Sequence, residues 1–161
     1  MSTDAPIPGW AEALGRVSSG LFILTAKHHD QETGMLASWV VQAGFEPPAV
    51  TVAVRRDRYV AEWLGAGCPF TLNIVPEDSK AFLKHFGRGF EPGQPAFEGL
   101  NTSRCERGVV ILNDSLGHLE CETKGHLDSG EHRIFLAHVI GGRMNGTANP
   151  AVHIRKNGQR Y

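Results

Sequence analysis

The sequence contains no apolar run approaching the ~18 residues that a membrane-spanning helix needs. Its first ten residues, MSTDAPIPGW, have neither the cationic start nor the apolar stretch of a secretory signal. The expectation is a cytoplasmic protein that does not engage a membrane. Cys-x-x-Cys is missing too. The three cysteines, Cys68, Cys105 and Cys121, are odd in number and widely spaced, which speaks against a disulfide framework and against a structural zinc site. Neither sign of charge is in excess: 16 Lys and Arg face 17 Asp and Glu, for a formal net charge of −1. No general electrostatic attraction to nucleic acid follows from that balance. Also absent are G-x-G-x-x-G, the P-loop, G-x-S-x-G and H-E-x-x-H. With no βαβ alternation either, a Rossmann domain is excluded, and no common hydrolase or metalloprotease signature remains.

What is present suits one globular domain over residues 1–161, with 41% hydrophobic and 20% charged residues. Nineteen glycines and nine prolines punctuate the chain often, which favours short strands over long helices. Trp10, Leu14 and Val17 stand at helical spacing and predict a short helix over 10–18. Residues 20–26 are an apolar, β-forming run. A polar turn over 28–34 leads to a second strand over 35–43, which Pro47 and Pro48 close off, and 49–54 form a third. Val60, Trp63 and Leu64 share a helical face over 58–64. A strand over 69–75 follows, then a helix that Asp78 or Ser79 can cap, with Phe82, Leu83 and Phe86 inward and Gly87 as its stop.

Residues 88–101 form a loop long enough to suggest a role beyond connection. After a strand over 109–112, residues 118–127 alternate with period two. Leu119, Cys121 and Leu127 share one face; His118, Glu120, Glu122, Lys124 and His126 share a wetter one. A turn over 128–130 returns the chain as a strand over 132–140. The fold class is mainly β: an antiparallel barrel with a few short helices.

Three segments have chemical possibilities. Residues 34–42 are a strand edge with small side chains, either an ordinary barrel strand or a place where a flat ligand reaches backbone N–H groups. Arg55, Arg56, Asp57 and Arg58 follow a strand, either as a solvated charge run or as forked donors for a phosphate. His132 ends the hairpin segment 129–132, either as a surface residue or as a group that exchanges hydrogen bonds with a substrate near neutral pH. Eight histidines do not fall at metal-ligand spacings, so no metal site is expected. Patterns alone assign no reaction.

Taken in order, these segments resemble the flavin reductase family with the FMN-binding split β-barrel, and most closely the flavin reductase-like domain of cyanobacterial flavodiiron proteins. The residues that carry the resemblance are GLFILT at 20–25, GMLASWVVQA at 34–43, FEPPAV at 45–50, RDR at 56–58, FTLNI at 70–74, FLKHF at 82–86, GEH at 130–132 and the tail HIRKNGQRY at 153–161. The resemblance implies a split β-barrel with Greek-key-like antiparallel strands. It implies that Met35, Leu36, Ala37, Ser38, Trp39 and Val40 hold the ring and ribityl parts of FMN, with FAD the alternative flavin. Arg56, Asp57 and Arg58 would meet the phosphate, and Lys84, Phe86 and Arg88 would close over the cofactor. His132 would stand near the nicotinamide of NADH or NADPH, as a positioning group. Glu131 occupies the place where the family has Asp.

The implied activity is hydride transfer from NADH or NADPH to flavin N5, with electrons passed to oxygen or to a partner redox protein. An FMN-binding electron carrier with little NAD(P)H reactivity is the alternative. A homodimer is implied as well. A pyridoxamine phosphate oxidase-like enzyme and a non-enzymatic ligand-binding barrel fit these residues less well.

Overall fold

The structure is a computed structural model that describes residues 5–160. In chain order its elements are α1 (Gly9–Gly15), β1 (Ser19–Gly20), β2 (Phe22–His28), β3 (Gln31–Ala37), β4 (Val40–Phe45), β5 (Pro48–Arg55), α2 (Tyr59–Gly65), β6 (Phe70–Ile74), α3 (Lys80–Phe86), β7 (Thr102–Arg104), β8 (Val110–Leu112), β9 (Gly117–Ser129), β10 (His132–Met144) and β11 (Val152–His153). Seven strands form one antiparallel sheet in the order β3-β2-β6-β9-β10-β5-β4, while β1 pairs with β11 and β7 with β8. The mainly β class expected from the sequence is the one observed.

The sheet's two edges, β3 and β4, are consecutive in the chain and separated only by Ser38 and Trp39. Three Cα steps reach at most roughly 11 Å, so the edges must meet at that corner and the sheet must roll. No ladder joins β3 to β4, so the roll stays split and does not close into a barrel. The backbone N–H of Ala53 donates to the Trp39 carbonyl at 3.0 Å and fixes the corner to β5. The single strand expected over 35–43 is therefore two strands belonging to opposite edges. The polar turn expected over 28–34 shrinks to His29 and Asp30, with His29 at φ 56. Gln31, Glu32 and Thr33 are polar but extended, and pair with β2.

Alternation along the strands separates two apolar clusters. Leu24, Val52, Val54, Phe70, Leu72, Cys121 and Phe135 point inside the roll, where Trp63 and Leu64 of α2 pack on them. Ile23, Val75, Phe82, Phe86, Val110 and Leu112 form the other, with Phe90 and Phe97 of the long loop against it. Between Ile23 and β8 lies a buried polar seam. The Thr25 hydroxyl donates to the Val110 carbonyl at 2.6 Å and meets the Thr71 hydroxyl. Asn73 donates to the Ile23 carbonyl at 2.9 Å and accepts from the Leu112 N–H at 2.9 Å. Each bond satisfies a group that burial would otherwise leave unpaired.

Several expected placements change. Leu83 and Leu127 are exposed and His118 is buried. Helix α1 stops at Gly15, so Val17 lies beyond it; Trp10, Leu14 and Val17 are all exposed, and Ala11 and Gly15 are buried instead. A Cβ at Gly15 would lie 2.6 Å from the Cα of Asn157, so that face of the helix is taken by the C-terminal tail. Ser79 holds the N-cap position of α3 without a side-chain cap bond. Strands β9 and β10 each run for 13 residues, longer than expected, with register shifts at Leu136/Ala137 and Val139/Gly141 that bend the pair. Among the described residues no helix is long and apolar enough to cross a membrane.

Candidate functional site

At the corner where β3 ends, a cavity of about 330 Å³ is walled by Met35, Leu36, Ala37 and Ser38 on one side and by Ala53, Val54, Arg55 and His132 on another. Leu21, Phe86 and His153 complete its apolar and tail-derived walls. β3 is an edge strand, so one side of its backbone is not taken by a ladder partner. This cavity adjoins a second of about 380 Å³, and the two share Arg55, Arg58 and Gly89. Asp57, Tyr59, Arg88, Phe90 and Glu91 line the rest of the second.

The arginine-bearing cavity has a defined electrostatic pattern. Arg55 closes β5 and forks onto both oxygens of Asp57, at 3.1 and 2.7 Å. That hydrogen bond holds the Asp57 carboxyl below its ordinary range, so Arg55 and Asp57 largely compensate each other. Arg58 and Arg88 then share the cavity with one further carboxylate, that of Glu91. Gly89 has φ +74, and a Cβ there would come 3.3 Å from Arg58 Nη1. A side chain at that position would be strained and would crowd the guanidinium. The floor is held by Tyr59, whose hydroxyl donates to the Phe90 carbonyl at 2.5 Å and accepts from Thr33 at 2.7 Å. Burial pushes the Tyr59 hydroxyl upward, so it stays a neutral donor.

His132 is the first residue of β10, opposite Arg55 in the ladder, and is 8% exposed. Its Nδ1 lies 3.2 Å from Glu131 Oε1 and its ring centroid 4.6 Å from that of Trp39. With Nδ1 engaged by the carboxylate, Nε2 is the nitrogen left for another partner. Glu131 is held below its usual range by its own backbone hydrogen bond first and by His132 second.

The other residues singled out from the sequence lie as follows. Trp39 packs on His132 and beneath the guanidinium of Arg155, 5.2 Å from its ring. Val40 packs against the interior cluster. Arg56 turns away from both cavities: its backbone N–H donates to the Glu131 carbonyl at 2.9 Å, and its Nη1 to the Gly130 carbonyl at 3.2 Å. Its Nε lies 3.6 Å from Asp128. Lys84 is exposed on α3 and lines neither cavity, whereas Phe86 lines the first and Arg88 the second. Gly89, Tyr59 and His153 were not singled out. The glycines on either side of Arg88 were the signal that could have found Gly89; His153 opens the tail that carries part of the resemblance, though no role at the site was implied for it. Among the described residues no cluster of three or more His, Cys, Asp or Glu could hold a metal ion.

The profile of the flavin reductase like domain matches residues 14–160. Diflavin flavoprotein A 1 of Synechocystis sp. is 41% identical over 152 residues, which are 93% of this chain and 26% of that protein. The chain thus spans about a quarter of the length of the curated relatives it matches. Among solved structures, the NADH:FAD oxidoreductase SgcE6 of Streptomyces globisporus C-1027, in complex with NAD and FAD fragments, superposes with a TM-score of 0.79. It is 21% identical and matches over 92% of this chain and 87% of that one. The styrene monooxygenase flavin reductase SMOB of Pseudomonas putida S12 gives a TM-score of 0.76 at 20% identity, over 91% and 93%. At these identities the structural likeness is one of fold.

Proposed function

Since the chain belongs to the family of flavin reductase-like domains, we propose that it is an NAD(P)H-dependent flavin reductase that binds FMN, with FAD the alternative flavin. In this reading a hydride passes from NADH or NADPH to flavin N5, and the electrons leave to oxygen or to a partner redox protein. The observation that carries it is the succession of the two cavities: a largely apolar slot opens into an arginine-lined pocket. A flavin mononucleotide has the same order of parts, a flat ring followed by a ribityl chain and a phosphate. The residues fit that ligand in size as well, since small-molecule cavities start at roughly 300 Å³.

Bound flavin supplies the redox chemistry itself. The backbone of Met35, Leu36 and Ala37 would face the ring edge, and the Ser38 hydroxyl would add a hydrogen bond. Phe86 and Leu21 would keep water from the ring. Arg58 and Arg88 would take the phosphate, with Arg55 held beside them by Asp57. His132, oriented by Glu131 and Trp39, would position the nicotinamide; hydride transfer requires no general base. Arg56 would act indirectly, by tying down the hairpin that presents Glu131 and His132. The exposed apolar side chains Val41 and Phe45 on edge strand β4 support a homodimer, since a second copy would cover them.

A second reading is an FMN-binding electron-transfer module with little NAD(P)H reactivity. It is favoured by the chain's matching only about a quarter of longer relatives named diflavin flavoproteins. Titrating FMN fluorescence with protein, then following NADH and NADPH oxidation by the complex, tests both. Binding with turnover is the expected result. Binding without turnover selects the module, and no binding overturns both readings.

A further inference from the structure

The reading above gives no role to His153, the residue through which the C-terminal segment reaches the first cavity. That segment, 149–160, is laid back across the molecule as a strap. Pro150 bridges to Pro76, and the Ala151 N–H donates to the Val75 carbonyl at 2.9 Å. β11 pairs with β1, which sets His153 opposite Ser19. Further along, the N–H of Arg155 donates to the Gly15 carbonyl at 3.0 Å, and that of Gly158 to the Ala11 carbonyl at 2.6 Å. A Cβ at Gly158 would lie 2.5 Å from the Leu14 Cβ, so the strap seats against α1 only because a glycine stands at the crossing. The backbone is thus held on both sides of His153, whose half-buried side chain forms part of the cavity wall. Among the described residues the ring has no hydrogen-bond or ion-pair partner.

Arg55, Arg58 and Gly89 belong to the end of the cavity that it shares with the arginine-lined one. Away from that end, Ser38, His132 and His153 are the side chains able to make a strong hydrogen bond, and the remaining walls are aliphatic, thioether, aromatic or glycine. A flavin ring has one apolar edge, the dimethylbenzene, and one polar edge, where two carbonyls flank the N–H of the pyrimidine. Setting that polar edge in an apolar slot without partners weakens binding, because each group gives up its water. Ser38 offers a single hydroxyl, and His132 has Nδ1 on Glu131 and is given to the nicotinamide. Resting on the flavin-binding part of the reading above, we propose that His153 recognises the flavin ring, with its imidazole hydrogen-bonded to the pyrimidine edge. Imidazole suits that edge, since one ring nitrogen donates to a carbonyl and the other accepts from an N–H. The strap orders the His153 backbone before any ligand arrives, so little of that cost falls on binding. The arginines then answer the phosphate, and His153 answers the ring.

Two readouts test this, neither of which needs turnover: flavin affinity by fluorescence titration, and the carbonyl stretching bands of bound flavin by infrared difference spectroscopy with carbonyl-labelled FMN. His153→Leu keeps the bulk of the side chain and removes its hydrogen bonds. It is expected to weaken FMN and riboflavin alike, roughly three- to tenfold, the size of one net hydrogen bond. A flavin carbonyl band moves to higher wavenumber in the same variant, as a carbonyl does when it loses a donor. His153→Gln, which can still donate and accept, recovers most of the affinity. Should His153→Leu fail to fold, the parent labelled with ¹⁵N-histidine supplies the measurement. Its His153 ring resonances, identified by their loss in His153→Gln, shift when riboflavin is added.

If His153→Leu binds both flavins as the parent does and the carbonyl bands stay in place, the His153 proposal is wrong and the reductase reading stands. A loss confined to FMN also overturns it, because His153 would then serve the phosphate. So does a loss of affinity with unmoved carbonyl bands, or His153 resonances that ignore riboflavin, because the residue would then only shape the wall. If the parent binds neither flavin, the reductase reading fails first and takes the proposal with it.

Discussion

Replacing Arg58 and Arg88 with alanine separates a phosphate site from a merely basic surface. The second cavity has Arg55, Arg58 and Arg88 against Asp57 and Glu91. Asp57 already holds Arg55 by two hydrogen bonds, so Arg58 and Arg88 carry the surplus charge. One guanidinium about 4 Å from a unit negative charge gains roughly 1 kcal/mol in bulk water and about 4 kcal/mol at the effective dielectric of a protein surface. Both side chains are exposed, so the lower part of that range applies, about 1–2 kcal/mol each. The double variant should therefore bind FMN roughly 30- to 1,000-fold more weakly. Riboflavin, which lacks the phosphate, should bind as before. Arg56→Ala should leave both flavins unaffected, because Arg56 faces Gly130 and Asp128. Quenching of flavin fluorescence on titration gives all these affinities, and repeating it at higher salt should weaken FMN alone. Equal loss for FMN and riboflavin, or an Arg56→Ala effect as large as that of the pair, would refute the reasoning.

His132→Ala should slow hydride transfer roughly 10- to 100-fold, as expected when a donor loses its positioning contact, with flavin affinity nearly kept; rapid-mixing absorbance separates the two, and a collapse of FMN affinity would move His132 into the cofactor pocket. Asn73→Ala leaves the Leu112 N–H buried and without its acceptor, which should cost about 1–3 kcal/mol in urea unfolding. Hydrogen exchange at Leu112 should accelerate with it, and an unchanged rate there would contradict the seam's role in holding β8. Burial pushes the Cys121 thiol up to about 12 and raises Cys68 as well. A thiol reagent at mildly alkaline pH should therefore modify Cys105 first and reach the other two only on unfolding, and early modification of Cys121 would show that β9 opens.

Local pattern, in apolar β-forming runs bounded by turn residues, was enough to find most strands, among them 20–26, 49–54, 69–75 and 132–140. It did not say where a strand leaves one sheet edge for the other. The break at Ser38 and Trp39 follows from rolling the sheet, which is a property of all seven strands together. Nor did it say which stretch of a face is covered. Leu127 lies where β9 outruns the core, while His118 pairs with Asn73 beside the stretch that β8 crosses. At the site, Arg55 to Arg58 were legible as a phosphate-suited run, but not their division: Arg58 lines both cavities, whereas Arg56 holds the hairpin. His153 reaches the first cavity only because a distant tail seats on α1, and no local pattern records such a landing place.

The central claim is hydride transfer between a nicotinamide and a flavin held in the paired cavities. Its most direct test is anaerobic: FMN is added to the purified protein, NADH and NADPH are supplied in turn, and the visible flavin band is followed. The account predicts that a bound flavin bleaches rapidly with at least one of the two nucleotides. A flavin that binds but keeps its colour with both would contradict it.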